Sequence, residues 1–446
     1  MKYKKYPSYK DSELEWLGKI PSEWTNSKLK YHSFIYNGNS ISDNEKENYE
    51  NLDITSSIPY VSTKDIDSNF LTIDYDNGMR VPICNDKFKI AKKGSTLICI
   101  EGGSAGKKLS FLDKKVCFVN KLACIDSYKG LDKRFSNYIL RSSVFNYLFN
   151  LATTGLIPGV SINQLKDFEI ILPSIQEQQQ MANFLDKATA KIDTLIEKQT
   201  KLIELLKEKR QAVISHAVTK GINLNVKMKD SGVEWLGEIP EHWIRTKIKN
   251  KLSIPITDGP HETPEFLDEG VPFISAEAIS SGIINFDKKR GCIKEEQNTI
   301  YSRKYTPKKF DVYMIKSGAT TGVTAIVETD MKFNIWSPLA VFRAGLDLNP
   351  YYLLNFLRSI NFQIAVQLNW SFGTQQNIGM NVLENLYIAV PPLEEQEQIA
   401  NYLDDKTSKM DKLIEKANKS IELLKEKRTA LISAAVTGKI DVRELV

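Results

Sequence analysis

Residues 177–219 read EQQQMANFLDKATAKIDTLIEKQTKLIELLKEKRQAVISHAVT, and residues 395–437 read EQEQIANYLDDKTSKMDKLIEKANKSIELLKEKRTALISAAVT. The second block is the first carried 218 positions along the chain. A second pair, SELEWLGKIPSEW at 12–24 and SGVEWLGEIPEHW at 231–243, repeats at a shift of 219. Two separate blocks at nearly one offset mean a tandem duplication, and a period this long is no solenoid. Each half is a domain followed by its own helix.

Within the blocks, Leu185, Ala188, Ile192, Leu195, Gln199, Leu202, Leu206, Lys209 and Val213 step alternately by three and four. Leu403, Lys406, Met410, Leu413, Ala417, Ser420, Leu424, Lys427 and Leu431 do the same. This is a helical seam of period 3.5, widened by Ile196, Ile203, Ile414 and Ile421. No Pro or Gly interrupts either block; Pro173 and Pro391-Pro392 precede them, and Gly221 and Gly438 follow. The pattern predicts helices of about 35–40 residues, roughly 55–60 Å long. A helix of that length with one apolar stripe needs a partner, and the simplest partner is the other copy. Leu185, Ile192, Leu195, Leu202 and Leu206 are expected to pack against Leu403, Met410, Leu413, Leu424 and Leu431. A plain hairpin would satisfy the seam, but a globular domain on each helix makes the pair a ruler. The Lys207–Arg210 and Lys425–Arg428 segments read as solvated faces.

Between the blocks the halves diverge, leaving echoes such as Ile58–Ser62 against Val271–Ser275 and Gly102–Gly106 against Gly318–Gly322. Residues 25–172 are strand-rich, with β-branched runs at Ser95–Ile100 and Lys115–Ile125. A helix is predicted over Phe135–Leu151, and another over Tyr351–Leu368 behind an Asn349-Pro350 cap. The fold class is therefore α+β: two globular domains, each with a substantial twisted sheet, alternating with two long helices. The boundaries are 1–175, 176–222, 223–393 and 394–446.

Composition excludes more than it identifies. A net charge of +5 is compatible with nucleic-acid binding without arguing for it. MKYKKYPSYK lacks the apolar core of a signal peptide, and no apolar run is long enough to span a membrane. The five cysteines form no C-x-x-C pair, so a zinc site has little support and reduced thiols in the cytoplasm are expected. Asn349-Pro350-Tyr351-Tyr352 lacks the second proline of an adenine methyltransferase motif. Gly102–Lys108 is one residue short of a phosphate loop and lacks its Ser/Thr. No catalytic constellation emerges from four scattered histidines. The chain is expected to catalyse nothing by itself.

Three features together resemble the specificity subunits of type I restriction-modification systems. They are Glu-Trp-Leu-Gly-x-Ile-Pro-x-x-Trp at 15–24 and 234–243, the Pro-Pro-Leu-x-Glu-Gln lead into a helix at 391–396 (weaker at 173–178), and Ile-Glu-Leu-Leu-Lys-Glu-Lys-Arg at 203–210 and 421–428. The resemblance covers essentially the whole chain. The first copy departs from the pattern with Leu172-Pro173-Ser174-Ile175. The resemblance implies target recognition domains that each read half of a split sequence in double-stranded DNA. It implies an antiparallel helix pair that sets the unread spacer. The implied partners are two modification and two restriction subunits, which would hold S-adenosylmethionine, ATP and Mg, with no cofactor, metal or membrane contact for this chain.

Polar loops flanked by strands are the places to touch DNA, lysines for phosphate and amides for adenine. In the first domain the candidates are Ser62, Thr63 and Lys64; Ser104, Lys107 and Lys108; Thr154 and Asn163. In the second they are Ser317, Thr320 and Thr321, then Thr374, Gln375, Gln376 and Asn377. Each of these also reads as an ordinary solvated turn. Gly102, Gly106, Gly318 and Gly322 are expected to permit tight turns. Trp16, Trp24, Trp235 and Trp243 are expected to anchor each domain against a helix rather than to stack on bases, because both copies keep them. The competing readings are a fused methyltransferase or nuclease, and a coiled-coil adaptor that binds no DNA.

Overall fold

The structure, a computed structural model, describes residues 3–153, 158–372 and 376–445. It divides into two compact units, Met1–Thr200 with Asn418–Val446, and Lys201–Ala417. Each unit holds one α+β domain and parts of both long helices.

In the first unit the strands Ser33–Asn37, Leu122–Ser127, Thr96–Cys99 and Leu109–Phe111 pair in that order, all antiparallel. A second sheet orders Arg80–Pro82, Ser57–Val61, Val116–Phe118 and Ile90–Ala91, with the middle pair parallel. The second unit repeats the first sheet as Thr257–Asp258, Leu339–Phe342, Val312–Ile315 and Thr324–Ile326. It repeats the second sheet as Gly291–Ile293, Val271–Ile274 and Asn334–Ile335.

Strand periodicity explains the layering. Successive side chains point to opposite faces. Leu97, Cys99, Leu122 and Cys124 meet Val61, Val116 and Phe118 of the other sheet. Ile98, Ala123 and Ile125, one residue on, meet Phe135, Phe149 and the long helices. Both faces of these strands are apolar, so a single sheet cannot bury them. The expected single substantial sheet is thus two small packed sheets. For the same reason the run Lys115–Ile125 is broken: Val116–Phe118 pairs with Ser57–Val61, and Leu122–Ser127 crosses to Ser33–Asn37.

The predicted helix over Phe135–Leu151 is two helices, Lys133–Leu140 and Ser143–Ala152. Likewise Tyr351–Leu368 is Pro350–Arg358 and Ile360–Leu368. The breaks fall at the buried Ser142 and Ser359, whose hydroxyls accept the N–H of Phe145 and Phe362 and cap a new helix. The Asn349 cap is present, its Oδ1 accepting from the N–H groups of Tyr351 and Tyr352.

The long helices run Ile175–Lys220 and Leu393–Val436, 46 and 44 residues, longer than expected at about 69 and 66 Å. They stop at Gly221 and Gly438, which take φ +78° and +72°, the left-handed conformation that glycine adopts without strain. In the first unit Met181 and Leu185 share a core with Ile432 and Val436, and Asp193 pairs with Arg428. In the second, Ile399 and Leu403 share a core with Ile214 and Val218, and Asp411 lies 3.4 Å from Arg210. Within each unit the start of one helix lies against the end of the other, so the packing is antiparallel. The two ion pairs are the same contact carried 218 positions along.

The seam differs in phase from the sequence reading. Leu185, Ile192, Leu403 and Met410 are buried, and Leu206, Leu424 and Leu431 are half-buried. Leu195, Leu202 and Leu413, however, are 47%, 42% and 48% exposed. Thr189 is buried one residue beyond Ala188, and Ile196 and Ile203, expected only to widen the stripe, take the buried places of Leu195 and Leu202. The expected phase would bury Lys209, Lys406 and Lys427 without partners. The observed phase exposes them and turns Arg210 and Arg428 toward aspartates. Ile196→Ala and Ile203→Ala should each cost about 2–3 kcal/mol. Leu195→Lys and Leu202→Lys should stay within about 0.5 kcal/mol of the parent. Thermal melting of the four variants checks the phase; equal losses at both sets would refute it.

Candidate nucleic-acid interface

Each domain is fixed to its helix by the same Trp–Glu pair, with a different third residue in each copy. The hairpins Tyr9–Asp11/Lys19–Pro21 and Met228–Asp230/Glu238–Pro240 carry the Trp-Leu-Gly motif in their turns. Gly18 and Gly237 adopt φ +74° and +67° there. The indole N–H of Trp24 donates to Glu177 over 3.2 Å, and that of Trp243 donates to Glu395 over 3.1 Å. The Tyr6 hydroxyl donates to the same Glu177 carboxylate, and the His242 imidazole bonds Glu395. Burial and this carboxylate push the Tyr6 hydroxyl well above the usual phenol range. Trp24 and Trp243 are fully buried and have no face for a base. Trp16 and Trp235 are half-buried in the turns.

The polar loops converge within each domain. In the first unit the Lys108 ammonium donates to the Thr63 carbonyl over 2.9 Å, and Gly102 N–H donates to Pro158 O over 2.8 Å. A bridge joins Glu101 to Gly159. Three stretches far apart in sequence therefore lie together: 62–64, 101–108 and 158–160. In the second unit Ser317 bridges Asn377, and Gly318 N–H donates to Gln376 O over 3.0 Å. The Ser317–Thr321 loop and the Gln376–Asn377 strand are thus one surface.

The candidates sort by what they already hold. Lys64, Lys107, Asn163, Thr320, Gln376 and Asn377 are exposed. Asn163 sits in the short helix Ile162–Lys166, capped by Ser161. Ser62 is held in a capping box with Asp65, Lys108 is tied to Thr63, and the Thr321 hydroxyl donates to Gly318 O. These three position the loops. Thr63, Ser104 and Ser317 are half-buried. Thr154, Thr374 and Gln375 lie outside the described residues. Gly102, Gly106, Gly318 and Gly322 all take positive φ. The N–H groups of Ala105, Gly106 and Lys107 bond within the 99–108 hairpin, to Gly102, Cys99 and Ser104. Those three N–H groups are therefore not available to a phosphate.

A cationic cluster beside the second surface went unseen in the sequence. Asp258 is fully buried, and its carboxylate takes Lys304 at 2.5 Å, His261 at 3.2 Å and Lys316 at 3.3 Å. Lys316 directly precedes Ser317. The buried carboxylate thereby hydrogen-bonds Lys304 and stands within ion-pair distance of His261 and Lys316, with His261 and Lys304 exposed. The available signal was the Asp258-Gly259-Pro260-His261 turn, which nothing local connects to Lys304.

Cys99, Cys117, Cys124 and Cys292 are buried; burial pushes the thiols of Cys117 and Cys124 up to about 11, the opposite of an activated nucleophile. Among the described residues no group of three or more His, Cys, Asp or Glu is placed to hold a metal, and no helix is long and apolar enough to cross a membrane.

Residues 21–205 and 249–423 match the family model described as the type I restriction modification DNA specificity domain. The MjaVIII type I restriction enzyme specificity subunit of Methanocaldococcus jannaschii is 25% identical over 401 residues, 87% of this chain and 87% of that protein. The MjaIX specificity subunit of the same organism is 22% identical, covering 100% of this chain and 99% of that one. A structure described under "complex assembly and conformational transition of the type I R-M system" superposes with TM-score 0.70 at 17% identity, covering 94% of this chain and 99% of that chain, so the fold is shared. The chain belongs to the type I restriction modification DNA specificity family and carries two copies of its domain.

Proposed function

We propose that this chain is the DNA sequence-specificity subunit of a type I restriction-modification complex, and that each α+β domain reads one half of a bipartite duplex target. The observation that carries this reading is the division between what the repeat keeps and what it changes. The Trp–Glu anchors and the Asp–Arg helix pairs are kept residue for residue. The loop surfaces are not: Gly102-Gly103-Ser104-Ala105-Gly106 answers Gly318-Ala319-Thr320-Thr321-Gly322 with different side chains, and Asn37 stands before Gly38 where Asp258 stands before Gly259. Conserved mounting with divergent surface suits two readers of different sequences.

Exposed cations, Lys64 and Lys107 in one domain and Lys304 in the other, would contact phosphates and set register. Gln376 and Asn163 present amides able to pair with the major-groove edge of adenine. Residues 1–175 and 223–393 are the proposed recognition domains, and segments 176–222 and 394–446 the spacer. The helices would set the distance between half-sites and carry two modification and two restriction subunits. Methyl transfer at adenine, with base flipping, and ATP-driven cleavage would belong to those subunits together with S-adenosylmethionine, ATP and Mg. The complex would work in the cytoplasm, where its DNA is.

Replacing residues 25–172 by the corresponding domain of another family member tests the reading. Methylome sequencing of a host expressing the chimera should show one half-site changed and the other half-site and spacer retained. A change in both half-sites, or in neither, would overturn it.

A further inference from the structure

The first domain places an arginine against its long helix where, among the described residues, the second places none. In the first unit, the helix capped by Asp132 carries Arg134 and Tyr138. The Arg134 guanidinium donates to Asp186 over 2.7 Å and to Asn183 over 2.9 Å, and the Tyr138 hydroxyl donates to Asp186 over 2.6 Å. The repeat carries the acceptors forward 218 positions, as Asn401 and Asp404. It does not carry the donors. At the same offsets from the Asn349 cap stand Tyr351 and Asn355. The Tyr351 hydroxyl donates instead to Glu328, and the Asn355 amide donates to the Tyr351 carbonyl. Among the described residues, no cation takes Arg134's place against Asp404.

A cavity of about 920 Å³ stands there, wholly within the second unit. Ile284, Phe286, Ile326 and Leu354 give it an apolar floor; Glu328, Glu397 and Asp404 give it an acidic rim. Its one lining cation, Arg358, is already committed to the carbonyls of Gly282 and Thr324. Three carboxylates repel phosphate, so this is not a nucleic-acid surface. An apolar floor under an acidic rim suits an aliphatic stem with a cationic head. A carboxylate beside an amide oxygen suits a planar guanidinium fork, and the Tyr351 ring adds a face for it.

We infer that this groove docks an arginine side chain presented by a partner polypeptide, with Asp404 and Asn401 receiving the guanidinium as Asp186 and Asn183 receive Arg134. Two observations carry this separately: the shape and charge of the cavity, and the equivalent residues of the first unit holding an arginine in this same structure. The remaining volume leaves room for the residues flanking the arginine.

The test uses the full-length chain and calorimetric titration with the tripeptide acetyl-Ala-Arg-Ala-amide. The same peptide with citrulline, a neutral isostere of arginine, is the comparison. The arginine peptide should bind saturably. The citrulline peptide, and the arginine peptide with the Asp404→Asn variant, should each bind about tenfold more weakly or worse. Asp186→Asn, where Arg134 is already held, should leave peptide binding unchanged. The double variant Tyr351→Arg, Asn355→Tyr installs the first unit's pair and should abolish binding. Asp404 lies on an exposed helix face, so Asp404→Asn stays readable even if the double variant misfolds. Absence of saturable binding, equal binding of the citrulline peptide, or full binding by Asp404→Asn would overturn the proposal.

Discussion

Gly259→Ala and Gly38→Ala should each destabilise the unit that contains them by about 3–5 kcal/mol, among the largest effects of any single substitution. Neither glycine takes a positive φ, so the reason is space. A Cβ on Gly259 would fall inside the Ile335 carbonyl group, 2.7 Å from its carbon and 2.8 Å from the Trp336 carbonyl carbon. A Cβ on Gly38 would do the same at Phe118, 2.6 Å from the carbonyl carbon and 2.8 Å from the ring. These are backbone obstacles, which cannot rotate aside. Both glycines follow the edge strand of the first sheet, where the chain crosses over a strand of the second, and Asn39 N–H donates to Phe118 O over 2.9 Å in that crossing. Gly103, which meets nothing within 4 Å, is the control; Gly103→Ala should be neutral or stabilising by up to about 1 kcal/mol. Thermal melting followed by limited proteolysis would locate the loss in one unit. Melting of both variants like the Gly103 control would show that the sheets can slide apart at no cost.

Gln396→Leu and Gln178→Leu should follow closely, at about 3–5 kcal/mol each. Both glutamines are fully buried. The Gln396 carbonyl accepts the N–H of Asn349 over 2.7 Å, and its amide donates to Asp347 O and Pro391 O over 3.0 and 2.9 Å. Gln178 does the same with Asp132 N–H, Gly130 O and Pro173 O. Leucine fits the volume but strands one N–H and two carbonyls, at about 1–3 kcal/mol for each buried group left unpaired. Gln→Glu should also destabilise, because a carboxylate facing two carbonyls has no proton to give them. Amide exchange at Asn349 and Asp132 is the specific readout. A melting loss below 1 kcal/mol with unchanged exchange would mean that water replaces the amide.

These glutamines show where the sequence was readable. The Glu-Gln pair at 177–178 and 395–396 belongs to the repeat and reads, from sequence, as a helix lead. Its partners, the cap of another helix and the indole of a distant tryptophan, have no local signature. The helix seam was likewise legible as a period but not as a phase. A 3.5 repeat allows two phases that share alternate positions, and leucines at 195, 202 and 413 favoured the wrong one. The unpaired lysines at 209, 406 and 427 were the signal against it. The loops flagged for DNA were legible as turns. Which of their side chains are free and which tie the loop together depended on partners such as Thr63 and Gln376, far along the chain.

The duplication, the α+β class, the two long helices and the family are legible in the sequence, because each of these is written in short-range pattern or in exact repetition. Tertiary structure decided the rest. It split the expected sheet in two, since strands apolar on both faces need a layer on each side. It set the seam's phase, since buried ammonium groups without partners are too costly. It brought Asp258, Lys304 and Lys316 together and left Asp404 facing an open groove where Asp186 faces an arginine. Contacts of that kind depend on which residues the fold sets opposite one another, and a linear pattern carries no record of that.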